Sequence, residues 1–554
     1  MAGRDKSKDG FRNRIELGIL TSCKPLWGAV QRNERSRSFA NKFLINNAAQ
    51  KIPPRPYPFS AKTPYTSWDS LIDRNYAGLH LPPLNFKPLT DEPHLKITLS
   101  PVGDFESKLP GDEALTDLFT RRGAGTQSLK STVLFPHFVQ WFADGFLRTD
   151  RTNNRKVTSN HHIDLCGVYG LRPEHTMLLR SSKEPGRLKS QMINGEEYPE
   201  YVNHESRQPK LEFQGLPHLQ RSPGGKALSG WDLDDERKRT LFAMGAEIER
   251  SNVQPGYAMF NILCLREHNR LVGLLERSYN GWDSDRLFET ARNIATVEIM
   301  KIVMEEYINH ITPYHFKFIT DAGRYTKSRW YRQNWMTVEF NLAYRWHSML
   351  PDRLNHRGVA MELSETRYNN PMITNHGLGS IFQDASTQKA TDLGLHNTAN
   401  VLVPAELAGV RLGRDNKLRR YNDYRELLKY PRATSYEQIS SKPEVIRSLE
   451  KHYGKDVDNL ELYVGMHAED LRKNSALPPM IGRLVGIDAF SQALTNPLLA
   501  ENVFNKETFT PVGWEEIMSL STLSQLVHRN LPEGQEFTVS FRNADWKPAG
   551  HLRG

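Results

Sequence analysis

A chain of 554 residues, 38% hydrophobic and 25% charged with a mean hydropathy of −0.60, has enough apolar content for a large core, and it contains no apolar run long enough to span a bilayer. Three widely separated cysteines, Cys23, Cys166 and Cys264, exclude the disulfide framework of a secreted module and suit a reducing compartment. The formal charge of +9 comes from 73 Lys and Arg scattered among 64 Asp and Glu, without zinc spacing, RNA-binding signature or aromatic platform, so no nucleic-acid partner is expected and the basic surface is read as solvated.

The N-terminus is charged, and Leu17–Leu20 is too short for a secretory hydrophobic region, so the expectation is no cleaved signal and no transmembrane helix. A cytoplasmic or peripherally membrane-associated location follows. Residues 1–64 read as a basic, proline-marked entry segment, and 65–554 as one large domain. Within the entry, Leu26–Val30 and Phe39–Ile45 suit short amphipathic helices, for which loose peripheral membrane contact is the most that can be claimed. Val133–Arg148 predicts an amphipathic helix with Phe135, Phe138, Phe142 and Phe146 at helical spacing.

In His161–Gly170, two histidines stand near Asp164 and Cys166, but no metal-ligand spacing completes a zinc site. Residues 200–235, rich in Pro, Gly and Gln, predict covering loop. Gly256–Arg277 predicts a helix burying Met259, Ile262, Leu263, Leu274 and Leu275, with His268 as a hydrogen-bonded structural residue. A second helix is expected from about Arg292 to Ile311, with Ile294, Val297, Met300, Val303, Met304, Tyr307 and Ile311 on one side. Further helices are predicted over Val401–Leu412 and Arg419–Tyr430.

The stretch from Val338 to Asp352, VEFNLAYRWHSMLPD, organises the rest. Tyr344 precedes His347 by three residues, so a continuous helix would put both on one face, one turn apart. Pro351 ends that helix and pushes Leu350 out of the α region. Taken alone, such a Tyr/Trp/His cluster is more often core packing with satisfied polar tips.

The string EFNLAYRWHSMLPD, together with Leu265–Arg270 (LREHNR), Asp458–Met466, Thr508–Trp514, Tyr65–Asp69 and Leu81–Pro83, resembles cyclooxygenases and the related linoleate dioxygenases of the haem peroxidase–cyclooxygenase superfamily. The resemblance covers roughly residues 65 to 525. It implies a mainly α fold, an animal haem-peroxidase/cyclooxygenase-like helical domain. It also implies one haem b per chain with His347 as the proximal iron ligand, O2 as co-substrate, and Tyr344 as the residue whose radical takes hydrogen from an unsaturated fatty acid. Gln140 stands where the family keeps a distal glutamine, and Asp144 where it keeps a distal histidine; one helical turn apart, both are expected to face the haem. Tyr307 matches the tyrosine that hydrogen-bonds the radical residue and Tyr314 the tyrosine at the channel mouth; Trp346 and, across a gap, Ser491 are further channel residues. At the family's carboxylate-binding arginine this chain has Leu79, with Arg74 nearby.

The function implied is a haem-dependent fatty-acid dioxygenase giving an endoperoxide or a hydroperoxide. A haem peroxidase acting on small reductants and a haem-free, non-catalytic relative are the alternatives, and a homodimer is compatible with each. A Soret band separates the last from the others, and oxygen uptake on an unsaturated fatty acid separates the first two.

Overall fold

The computed structural model describes residues 18–21, 23–50, 109–203, 210–218, 234–331 and 336–548. The expectations for Tyr65–Asp69, Arg74, Leu79 and Leu81–Pro83, and for a boundary at 64/65, lie outside the described residues.

Two helices, α1 (Lys24–Arg32) and α2 (Glu34–Ala49), open the described chain, longer than the two short helices expected there. Asn33 separates them by capping α2, its side chain accepting from the Ser36 amide at 3.1 Å. Both lean on the body of the protein: Trp27 meets Phe316 edge-on at 5.6 Å, and Asn41 donates to the Ile319 carbonyl at 3.1 Å.

Helix α3 (Leu134–Asp144) sends Phe135, Phe138 and Phe142 into an aromatic core that also holds Phe260, Tyr307 and Phe541, and Phe146 follows them beyond the helix end. Burying each such ring is worth about 1.5–3 kcal/mol relative to leaving it in water. Helix α4 (Pro255–Ser278) starts on a proline at its first turn, where no amide hydrogen is needed, and is buried on every side from Pro255 to Asn269. His268 on α4 sits between Tyr169 Oη at 3.1 Å and the Gly186 carbonyl at 2.9 Å, the satisfied core histidine expected of it, and burial pushes its imidazole down to about 3.

Helix α5 (Ser284–Ile302) begins eight residues earlier than periodicity indicates, because Asp283 caps it by accepting from the Arg286 amide at 2.8 Å. It runs into a π-helical turn, Val303–Tyr307, and a last α turn, Ile308–Ile311. Helices α6 (Val338–Ala343), α7 (Val403–Asp415), α8 (Leu462–Ala468) and α9 (Pro479–Leu494) complete the framework, α9 lying against both α2 and α6. The helix predicted over Arg419–Tyr430 is confined to Tyr421–Leu427.

Strand is confined, among the described residues, to three two-stranded antiparallel ribbons. One joins Ser190–Ile193 to Glu196–Pro199 through Asn194 and Gly195, whose φ values of 51° and 83° are the left-handed pair a tight hairpin demands. Near His161 and His162 no metal-binding cluster forms among the described residues: His161 accepts from the Met336 amide at 3.1 Å, and Cys166 Sγ donates to the Gly145 carbonyl at 3.0 Å.

Helices α3 and α4 pack against each other where Gly256 faces His137. A Cβ added at Gly256 would lie 2.4 Å from His137 Nδ1, and the imidazole is only 4% exposed and has no room to retreat. Gly256→Ala is therefore expected to destabilise the protein by about 1–3 kcal/mol, read as a lowered denaturation midpoint. Unchanged stability would show that the α3/α4 seam is looser than described.

Candidate active site

The helix that carries Tyr344 stops before it reaches His347. Helix α6 ends at Ala343; Tyr344 (φ −98°, ψ 22°) and Trp346 (φ −110°, ψ 41°) leave the helical region, and His347–Met349 form a separate 3₁₀ turn. The expectation of one continuous helix face is thereby corrected. The break has local causes: the Trp346 indole donates to the Ala343 carbonyl at 2.5 Å, taking a helix-terminal acceptor that has no partner within the helix. Leu350 is extended before Pro351, as expected. Arg121, 9% exposed, donates to the Leu350 carbonyl at 2.6 Å and pairs with Asp352 at 2.9 Å, and so fixes the turn from outside.

Each side of the break serves a different neighbour. Tyr307 Oη donates to Tyr344 Oη at 3.1 Å, delivered there by the π turn, which re-aims its last residue relative to α5. Around the Tyr344 ring lie Phe340 at 4.8 Å, Trp346 stacked at 5.3 Å and Phe146 edge-on at 6.1 Å. Burial in this apolar shell pushes both phenols up, so both are protonated at neutral pH. Trp346 is itself buried, stacked between Tyr344 and Phe135.

His347 faces α7 instead. Its Nδ1 lies 3.3 Å from Glu406 Oε2 and is buried, while 28% of the side chain is exposed, so the accessible part of the ring is the edge away from Glu406. Glu406 is fully buried and also accepts from Thr398 Oγ1 at 3.0 Å and from Tyr463 Oη on α8. Burial raises a carboxyl's pKa, but here the opposing pull of His347, His467 and Tyr463 prevails and holds Glu406 down at about 2.

On α3, Gln140 and Asp144 are both tied to the segment that leads into α4. Gln140 accepts from the Gln254 amide, and both oxygens of Asp144 accept from Arg250, one of them from Nε at 2.6 Å. The Asp144 charge in turn outweighs burial and pushes the Arg250 guanidinium up. His137 is buried against α4, and burial pushes it down to about 4.

Beyond Tyr307, a cleft of about 920 Å³ opens between α2, the Ile308–Phe318 segment and α9. Its walls include Leu44, Ile308, Tyr314, Phe318 and Phe490. Ser491 is not among the lining residues: its hydroxyl donates to the Asp488 carbonyl at 3.0 Å, and Ala489 and Phe490 form the wall at that level. Ile308, which lines the cleft, is the residue after Tyr307, the hydrogen-bond partner of Tyr344.

Residues 137–541 match the family model described as animal haem peroxidase. The chain belongs to the animal haem peroxidase family. It is 27% identical to prostaglandin G/H synthase 2 of Gallus gallus over 94% of this chain and 81% of that protein, and 28% identical to the Mus musculus enzyme over 96% and 82%. Among solved structures, the Oryza sativa fatty acid alpha-dioxygenase superposes with a TM-score of 0.68 at 15% identity, covering 92% of this chain and 93% of that one. Peroxidase A from Dictyostelium discoideum superposes with a TM-score of 0.65 at 16% identity, covering 88% and 100%.

Haem fits the residues of this animal haem peroxidase. A single imidazole presents one accessible edge while its other nitrogen is buried beside a carboxylate, the arrangement that fixes tautomer and ring orientation in a metal-ligating histidine. Glu406 and Arg121 are the residues that sequence reading missed, since a glutamate within a predicted helix and an isolated arginine carry no motif. Glu406→Gln is expected to weaken haem affinity about 10–100-fold while preserving the fold, measured by titrating apoprotein with haemin. Wild-type affinity in that variant would show that the carboxylate does not orient His347.

Proposed function

We propose that this haem-dependent fatty-acid dioxygenase carries one haem b per chain on His347 and uses Tyr344 to abstract hydrogen from an unsaturated fatty acid, to which O2 then adds. The observation that carries the reading is the buried Tyr307–Tyr344 hydrogen bond, with His347 three residues beyond Tyr344 and a largely apolar cleft lined by Ile308, next to Tyr307. Bound haem, activated by a hydroperoxide, supplies the one-electron oxidation of Tyr344. Tyr344 is a protonated phenol, so its oxidation releases a proton with the electron, and that proton is consumed in reducing the hydroperoxide to alcohol and water. Tyr307 Oη, already pointing at the Tyr344 oxygen, remains its donor afterwards and stabilises the phenoxyl radical. Phe340, Trp346 and Phe146 keep water from that radical. An allylic hydrogen atom from the substrate restores the phenol, and O2 adds to the carbon radical left behind. The resulting peroxyl radical takes a hydrogen atom back from Tyr344, directly to give a hydroperoxide or after closing on the chain and adding a second O2 to give an endoperoxide, and the tyrosyl radical is regenerated.

The peroxidase alternative requires a group above the haem that takes the hydroperoxide's proton and returns it to the leaving oxygen. Both oxygens of Asp144 are taken up by the Arg250 guanidinium, and Gln140, which accepts from Gln254, is not a general acid. A radical enzyme needs peroxide activation rarely, a peroxidase at every turnover, so this arrangement favours the dioxygenase.

Exposed Leu26 on α1 and exposed Phe39 and Phe43 on α2, with Lys24, Arg32, Arg35 and Lys42 on the same helices, support peripheral contact with an anionic membrane beside the cleft. A cytoplasmic or membrane-peripheral homodimer completes the reading.

Tyr344→Phe is expected to retain haem and abolish oxygen uptake on linoleate or arachidonate, whereas Tyr307→Phe, which removes one supporting hydrogen bond worth about 0.5–1.5 kcal/mol, lowers it less. In the same preparations guaiacol peroxidation is expected about 10²–10⁴-fold below that of a relative with a distal histidine. Full oxygenation by Tyr344→Phe, or fast guaiacol turnover without fatty-acid oxygenation in the wild type, would overturn the assignment.

A further inference from the structure

The cleft lined by Ile308 has mainly apolar walls, and among the described residues its charged lining is the pair Arg472 and Arg483. Both are half-buried, and both address Tyr430: Arg472 Nη2 donates to its hydroxyl at 2.5 Å, Arg483 Nε does so at 3.4 Å, and the two guanidinium carbons lie 5.7 and 5.3 Å from its ring centre. Arg425 approaches the same ring at 5.9 Å. Buried Glu469 turns its oxygens to Tyr421 Oη and the Met480 amide, each at 2.6 Å, and pairs with Arg425 at 3.7 Å. Burial alone would push the Tyr430 phenol up, yet the Arg483 and Arg472 charges draw it below its ordinary value, a sign of the positive potential at this wall.

Beside the arginines the wall is bare. Gly482 and Gly486 on α9 line the cleft one residue before and three after Arg483; a Cβ at Gly486 would meet nothing within 4 Å, and one at Gly482 only Leu477 Cβ at 3.9 Å. Glycine weakens a helix relative to alanine, and here the space it leaves lies where an alkyl chain would depart from the guanidinium groups. Tyr314 stands on the same cleft.

We propose that Arg472 and Arg483 form the carboxylate clamp of this chain, holding the acid end of the fatty acid while the hydrocarbon passes along the Gly482/Gly486 face towards Tyr344. The assignment rests on the fatty-acid reading above and deepens it. Guanidinium groups bind carboxylates through charge-assisted, forked hydrogen bonds, and the Tyr430 ring holds both in place by cation–π contact. The substrate preferred is a free acid, discriminated from its ester by charge.

The test compares linoleate with methyl linoleate in the holoenzyme, by oxygen uptake and by equilibrium binding of radiolabelled ligand. Wild type is expected to bind linoleate at least about tenfold more tightly than the ester. In the Arg472→Gln/Arg483→Gln variant the KM and Kd for linoleate are expected to rise about 10–100-fold with kcat within about twofold, so that acid and ester become alike; Arg472→Lys, which keeps charge but not the fork, falls between. Gly486→Leu, which fills the cleft, is expected to weaken acid and ester equally. Equal binding of the two ligands by wild type overturns the clamp without any variant, and so does a double variant that keeps its preference for the acid or loses both ligands together with its fold, the signature of a purely structural role at Tyr430. Absence of oxygen uptake alongside tight, acid-selective binding would sink the dioxygenase reading and leave the clamp standing.

Discussion

Everything at this site depends on the chain breaking its helix after Ala343. Were α6 to continue, Tyr344 and His347 would share one face; with the break, Tyr344 turns to Tyr307 and the aromatic core, and His347 turns to Glu406 on α7. Two residues three apart in sequence thus face different surroundings, the ones proposed for the radical and for the cofactor. The break is maintained from both sides, by the Trp346 indole on the Ala343 carbonyl and by Arg121 on the turn that follows. A π turn on the facing helix supplies the matching displacement for Tyr307. Close packing makes such geometry stiff, because aromatic rings in contact on several sides leave no alternative rotamer.

The strength of the two halves differs in kind. At His347 the protein supplies charge: a buried carboxylate stands behind the imidazole and orients it. Around Tyr344 it supplies exclusion, a dry shell with one hydrogen-bond donor. On α3 it supplies a closed ion pair between Asp144 and Arg250. The division suits chemistry in which the cofactor is used to charge a protein radical rather than to turn over peroxide.

Much of the helical framework was legible because apolar spacing marks it: the phenylalanine stripe of α3 and the long buried helix α4 stand where periodicity puts them, within a few residues. Boundaries were less so. The start of α5 is set by the side chain of Asp283, and the Asn194–Gly195 hairpin by left-handed backbone, both local signals that an apolar period does not register. The tyrosine–histidine spacing marked the site, while its geometry depended on an indole-to-carbonyl bond and a π turn, which no helical template contains. Glu406, Arg121 and the Arg472/Arg483 pair were invisible for a simpler reason. Each acts through a partner between 42 and 276 residues away in sequence, such as Tyr430 for Arg472 and the Asn397 carbonyl for Arg121, and only folding brings them together.

The most direct test of the central claim is electron paramagnetic resonance on holoprotein frozen within milliseconds of mixing with a lipid hydroperoxide, in the absence of fatty acid. The account predicts a tyrosyl radical whose signal disappears when tyrosine at position 344 alone is exchanged for phenylalanine and whose hyperfine pattern changes, without disappearing, in Tyr307→Phe. A full-strength tyrosyl signal in the Tyr344→Phe protein would contradict it.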